Sequence, residues 1–232
     1  MENRQSLAID VISDVVCPWC YVGQKRLEEA MAMAPEIDVR LRWRPYQLDP
    51  TIPPEGLDRK TYMEAKFGDE GRLEGMQARL EELGRDAGIV FHFELITRSP
   101  NTLDAHRLIR WAASVDGTDV QDAVARRLFQ LYFEEGRDVG DRAVLIEAAR
   151  ECGMDATLVE TLLAAGADVE EVKSEIETAR RMGVTGVPCF LFENRYAVIG
   201  AQDAETLADA IRQVAAAKAR GELDGPAPQP SS

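Results

Sequence analysis

Cys17-Pro18-Trp19-Cys20 sets two thiols three residues apart. On a helical turn that spacing brings both sulfurs to one side, where they can close a small disulfide ring. The segment lies where a strand pattern becomes a helix pattern. Leu7–Ile12 reads as a strand, and Cys20, Gln24, Leu27, Ala30 and Met31 then recur at helical spacing. A cysteine at a helix start meets unpaired N–H groups and the positive end of the helix dipole. Both favour the thiolate, which is the nucleophile. Pro18 suits the first turn, where its missing N–H costs little. Geometry therefore predicts Cys17 as the outward, attacking sulfur and Cys20 as the inward, resolving one.

A second feature lies far along the chain. Gly183-Val184-Thr185-Gly186-Val187-Pro188 leads into an apolar strand. A proline there cannot donate a ladder hydrogen bond. It is either an ordinary turn proline or the cis partner of Val187, turning the chain and leaving backbone groups free. Zinc is the rival chemistry for the cysteines. Structural zinc needs four ligands, yet Cys152 and Cys189 stand alone and His92 and His106 are not at ligand spacing. No metal site is expected.

The elements that must position these residues run β-α-β, a helical block, then β-β-α. Ser6–Ser13 reads as a strand, Pro18–Ala34 as a helix stopped by Pro35, and Ile37–Leu48 as a second strand. From Leu57 to Gly183 the pattern is mainly helical. It includes Glu70–Ala87, a helix capped by Asn101 or Thr102, Asp119–Glu135, and helices opening at Asp141, Asp155 and Asp168. Ile89–Phe93 interrupts them as a short extended piece. Val187–Phe192 and Tyr196–Ile199 flank a turn, and Asp203 caps a last helix, Ala204–Ala219. The reading is an α/β chain in which 1–56 and 184–220 form one discontinuous unit around a helical insertion, 57–183. The Gly-, Pro- and Ser-rich tail, 221–232, is expected to be disordered.

Composition narrows the function classes. The 232 residues are 45% apolar and carry a formal net charge of −14. That balance disfavours a general nucleic-acid binder, which needs clustered Lys and Arg. No apolar run is long enough to span a bilayer. The N-terminal residues lack the pattern of a secretory signal, so a cytoplasmic location is expected.

With both motifs in view, the chain resembles the DsbA family of the thioredoxin-like superfamily. The shared marks are the strand–Cys-Pro-Trp-Cys–helix unit, the distant Gly-Val-Pro before a hairpin, and a helical insertion between them. Ser13–Gly23, Asn101–His106, Tyr132–Gly136 and Tyr196–Gln202 resemble its FrnE-like branch more closely. The resemblance implies a thioredoxin-like fold with a large α-helical insertion and a thiol–disulfide oxidoreductase with no resident cofactor. It makes Cys17 the nucleophile, Cys20 the resolving thiol and Pro188 a cis-proline facing them. Pro18, Trp19 and the Val187 backbone would border the substrate. The implied partners are protein thiols and disulfides, or glutathione as co-substrate. A homodimer is compatible with it. The 2-hydroxychromene-2-carboxylate isomerases and kappa-class glutathione transferases resemble the same architecture. They generally lack the second cysteine, so the intact pair here points to redox chemistry. A chaperone-like binder that only senses redox state is a third reading.

Two positions depart from the superfamily pattern. The buried acid often found six residues before the first active-site cysteine is replaced by Val11. Asp10 beside it belongs to the other strand face. Cys189 stands where an apolar aromatic is commoner, so it reads either as core or as a third thiol near the pair. His106 reads either as a satisfied core histidine or as an accessory to the site. Cys152 falls on an apolar helical stripe and reads as a core thiol. Trp43, Tyr46, Phe67, Trp111 and Phe129 read as core or cleft wall, and Glu134–Asp141 as a solvated acidic loop.

Overall fold

The computed structural model describes residues 5–68, 70–115 and 119–223. β1 (Gln5–Ser13) is buried continuously from Ile9 onward, as a strand flanked on both edges and covered on both faces must be. α1 (Pro18–Met33) follows, then β2 (Ile37–Pro45), which pairs parallel to β1 with Val11 opposite Trp43. β2 stops at Pro45 rather than at Leu48. Tyr46 still donates its N–H to the Ser13 carbonyl at 3.0 Å, and the chain then turns away.

The next strand, β3 (Leu57–Asp58), is two residues long. It pairs with β4 (Arg98–Ser99) across α2 (Arg59–Phe67) and α3 (Glu70–Asp86). Five helices follow: α4 (Leu103–Ala112), α5 (Val120–Phe133), α6 (Arg142–Glu151), α7 (Ala156–Ala164) and α8 (Val169–Arg181). Side-chain caps explain several helix starts. Asp58, Asp141 and Asp155 each accept backbone N–H groups of the first turn. Asn101, not Thr102, gives its side-chain oxygen to the Leu103 N–H. The chain returns through β5 (Cys189–Phe192), the Glu193-Asn194 turn and β6 (Tyr196–Ile199). It ends in α9 (Ala204–Ala219), capped by Asp203. Glu193 and Asn194 both carry positive φ, the geometry of a tight hairpin turn. Residues 221–223 continue as a turn beyond α9. The rest of the expected disordered tail, 224–232, lies outside the described residues.

The main sheet has the order β2-β1-β5-β6, with β5 antiparallel to both β1 and β6. Alternation along β1 sorts its two faces. Ile9 and Val11 join the large core with Val22, Leu27, Leu207 and Ile211. Ile12 packs with Tyr46, Ala179 and Cys189 on the other. Asp10 is buried on that second face, where Arg42 and Arg44 each hold it at 2.8 Å. The sheet and the helical segment share one core. Tyr21 of α1 stacks on Phe129 of α5, with centroids 5.1 Å apart and 7° between the rings.

Two expectations need correction. The stretch Glu134–Asp141 is not simply solvated. Glu134 accepts the Tyr21 hydroxyl at 2.5 Å, and Val139 is fully buried. Cys152 is only partly buried, because α6 ends at Glu151 and leaves it as the cap residue at the edge of the core. Ile89–Phe93 interrupts the helices as expected, neither α-helix nor strand. It carries Phe91 and Phe93 into the aromatic core, stacked at 4.9 Å, and enters a 3-10 turn.

Candidate active site

The end of β1 and the start of α1 build the centre of the site. After Ser13 the chain makes a turn closed by the Cys17 N–H donating to the Asp14 carbonyl at 3.0 Å. Cys17 is the N-cap of α1, with extended backbone (φ −93°, ψ 112°) and Pro18 behind it. Its carbonyl accepts the N–H groups of Cys20 and Tyr21 at 3.0 and 3.3 Å. No acidic side chain occupies the first turn, so none competes for the positive helix end.

The second half comes from the segment before β5. The Val187–Pro188 peptide bond is cis. The Cys17 thiol donates to the Val187 carbonyl at 3.8 Å. The distant Gly-Val-Pro therefore lies against Cys17, across 170 residues of sequence. All four cysteines are free thiols. Cys17 keeps 4% of its surface, and Cys20 only 1%. Burial pushes the Cys20 thiol well above its ordinary range, and the hydrogen bond and charge of Cys17 add to that. The Ser13 side chain and the Asp14 backbone oppose the rise without cancelling it. Cys20 therefore stays protonated at neutral pH.

Cys17 forms part of the floor of a groove of about 380 Å³. Pro18, Trp19, Gly186 and Val187 border it on the Cys17 side. The opposite wall comes from α2 and α3, through Met63, Phe67, Leu73, Met76 and Leu80. The groove is thus mostly apolar, with a few polar groups let in. Arg59 donates to the Tyr132 hydroxyl at 2.9 Å. Burial raises the Tyr132 phenol to about 12, against the pull of Arg59. Lys66 donates to the Tyr62 hydroxyl at 2.8 Å. Such a surface accepts an apolar substituent and sets a backbone edge and a sulfur at one end.

His106 is buried beneath this turn. Its Nε2–H donates to the Tyr46 carbonyl at 2.8 Å and lies 3.5 Å from Asp14 Oδ1. Asp14 Oδ2 accepts the Leu48 N–H at 2.8 Å. His106 therefore braces the Asp14 turn from behind and does not face the groove. Cys189 lies on the sheet face opposite the large core, against Ile12, Tyr46 and Ala179. Cys17 and Cys20 belong to the large core, so the sheet separates Cys189 from them. Burial raises its thiol as well. Val11 is buried below α1, with Asp10 turned away. Among the described residues, no three His, Cys, Asp or Glu side chains gather as a metal site would require.

Sequence reasoning passed over Ser13, Asp14, Arg59 and Met63. Ser13 and Asp14 were within reach, since two small polar residues at the buried end of a strand need a reason. Arg59 and Met63 carry no such signal, because only the folding of α2 over the groove brings them there.

A family model described as a DSBA-like thioredoxin domain matches residues 8–212. Among solved structures, the chain is similar to a probable DsbA oxidoreductase from Streptomyces coelicolor. The two are 29% identical with a TM-score of 0.80, over 97% of this chain and 94% of that one. A 2-hydroxychromene-2-carboxylate isomerase shares the fold at 16% identity and a TM-score of 0.67, over 92% and 98% of the two chains. The cytosolic disulfide reductase DsbM of Pseudomonas aeruginosa, solved with GSH, shares it at 21% identity and a TM-score of 0.60, over 92% and 100%. The architecture is therefore the expected thioredoxin-like fold with a helical insertion.

Proposed function

The chain belongs to the DSBA-like thioredoxin domain family, and from that premise we propose that it exchanges disulfides through Cys17 and Cys20. We assign it to the FrnE-like branch on its separated motifs. The carrying observation is the Cys17 sulfur at the groove floor, held by the Val187 carbonyl, with the Cys20 thiol buried beside it.

The reaction needs only sulfur chemistry. The Cys17 thiolate attacks a substrate disulfide, forms a mixed disulfide and expels the first substrate thiolate. Cys20 loses its proton and attacks the Cys17 sulfur. The second substrate thiolate leaves, and a Cys17–Cys20 disulfide remains. An external thiol restores the dithiol by the reverse steps. Val187 would meet an extended substrate by backbone pairing, a mode that tolerates many sequences. Pro18, Trp19 and Pro188 would border it. Partners of this kind are protein disulfides or glutathione. The likeness in fold to a reductase solved with GSH supports glutathione as a co-substrate and a cytoplasmic setting. Cys20 favours exchange over a glutathione-dependent isomerase, which has no use for a resolving thiol.

Reduction of insulin disulfides by a thiol reductant tests the reading. In Cys17→Ser the rate falls by at least ~10²-fold. In Cys20→Ser the Cys17 adduct accumulates and is visible by mass. Activity retained in Cys17→Ser rejects the assignment.

A further inference from the structure

We propose that Arg59 selects the substrate of the exchange reaction by binding a carboxylate carried on a low-molecular-weight disulfide. The proposal rests on that reaction and narrows its substrate class. One sulfur of the small disulfide meets Cys17, a short apolar arm lies along the wall made by α2 and α3, and the carboxylate reaches the start of α2. The Cys17 thiolate bonds the near sulfur, the substrate S–S bond breaks, and its electron pair leaves on the first carboxylated thiolate. Cys20 then bonds Cys17 and expels the second half. The Cys20 proton is balanced by one of the two halves leaving as a thiol. The protein dithiol is oxidised, the small disulfide is reduced, and no further reactant is needed.

Four observations carry this. Arg59 and Cys17 line the same groove, whose volume of about 380 Å³ is that of a small-molecule site. Arg59 is half-buried there. Its guanidinium meets the Tyr132 hydroxyl at 2.9 Å and stands over that ring at 5.8 Å, and no carboxylate among the described residues pairs with it. Arg59 is also the first residue of α2, where the helix dipole disfavours a cation and favours an anion. Helix stability therefore does not account for an arginine at this place. Lastly, the guanidinium is held in advance. The Tyr132 hydroxyl that accepts from it donates onward to the Arg98 carbonyl at 3.2 Å, and the Arg59 backbone N–H donates to the Thr97 carbonyl at 3.0 Å. One N–H of the guanidinium is spent on Tyr132, which leaves donors for a carboxylate.

The other charged groups of the groove are engaged differently. Lys66 is exposed and donates to the Tyr62 hydroxyl, which donates in turn to Asp49 at 3.1 Å. The Asp14 carboxylate accepts the Leu48 N–H.

Stopped-flow oxidation of the pre-reduced protein by dithiodialkanoates of three to six carbons per arm tests the proposal. Each acid is compared with its diamide, which has the same length and no charge. The ratio of the two second-order rate constants cancels the intrinsic reactivity of the disulfide. In the wild type the acid is preferred for at least one arm length, and the preference shrinks with added salt. Arg59→Gln lowers that ratio by about tenfold, and Arg59→Lys, which keeps the charge, retains most of it. The proposal is overturned by a wild-type ratio near one at every length, by an unchanged ratio in Arg59→Gln, or by a loss in that variant confined to insulin, which would assign Arg59 to protein substrates. A wild-type protein oxidised by neither acid nor diamide overturns the exchange reading itself, and this proposal with it.

Discussion

At the residue scale, the two thiols of the proposed exchange pair differ in surroundings. Cys17 borders a groove, and Cys20 is sealed beneath it with its thiol pushed up by burial and by Cys17. That difference also has a stability signature. An unfolded thiol ionises near pH ~8.5, whereas buried Cys20 keeps its proton above that pH. In that window the unfolded chain binds fewer protons, so folding free energy falls as pH rises. Cys152 and Cys189 shift the same way for the same cause, burial. The urea midpoint of the reduced protein therefore drops between pH ~8 and ~10, and Cys20→Ser drops less steeply. Equal slopes for the two proteins would contradict the placement of Cys20 in the core. That Cys17 and Cys20 meet at a helix start, with Cys20 the more deeply buried, was legible from spacing and helix position alone. By contrast, nothing in the sequence shows that folding buries the Ser13 hydroxyl at the end of β1.

At the element scale, the closeness of α1 to β5 holds the site together. Gly23 makes that approach possible. A Cβ there would stand 2.8 Å from Pro188 Cγ and 3.2 Å from the Phe190 ring. Alanine normally strengthens a helix by up to ~1 kcal/mol over glycine. Here the clash with a stiff proline ring outweighs that gain. Gly23→Ala is expected to lose about 1–3 kcal/mol of stability and to slow exchange, as Pro188 and Val187 are pried from Cys17. Thermal denaturation and the insulin assay read both. A stabilised variant with normal activity would show that the contact does not matter. Long elements with a period or a cap were readable from sequence: β1, α1, and the helices opened by Asp141, Asp155 and Asp203. The β3–β4 ladder was not, since two-residue strands are too short to show alternation. Ile89–Phe93 was readable as a break in the helices but not as part of an aromatic core, since Phe91 and Phe93 meet their partners only on folding.

At the scale of the whole molecule, the helical segment is not an appendage. Tyr21 of α1 lies stacked on Phe129 and edge-on to Phe91, and its hydroxyl is held by Glu134. Trp43 of β2 donates its indole N–H to Asp122 of α5 at 3.0 Å. With one core serving sheet and helices, the chain should melt as a unit. Calorimetry is expected to give one transition whose measured and van't Hoff enthalpies agree. Two resolved transitions would mean that the shared aromatic cluster does not couple the parts.

The bond between Cys17 and the Val187 oxygen has a consequence for timing. While Cys17 is a thiol, that oxygen is occupied by the sulfur's own hydrogen. Once the sulfur gives up its hydrogen to join a visitor, the oxygen becomes an open acceptor beside the visitor's backbone. On the proposed reaction, capture and docking would then be one event, with the chemistry unlocking the grip. An isotope-edited infrared band of the Val187 carbonyl should move when Cys17 alone is alkylated, and a static band would refute the coupling.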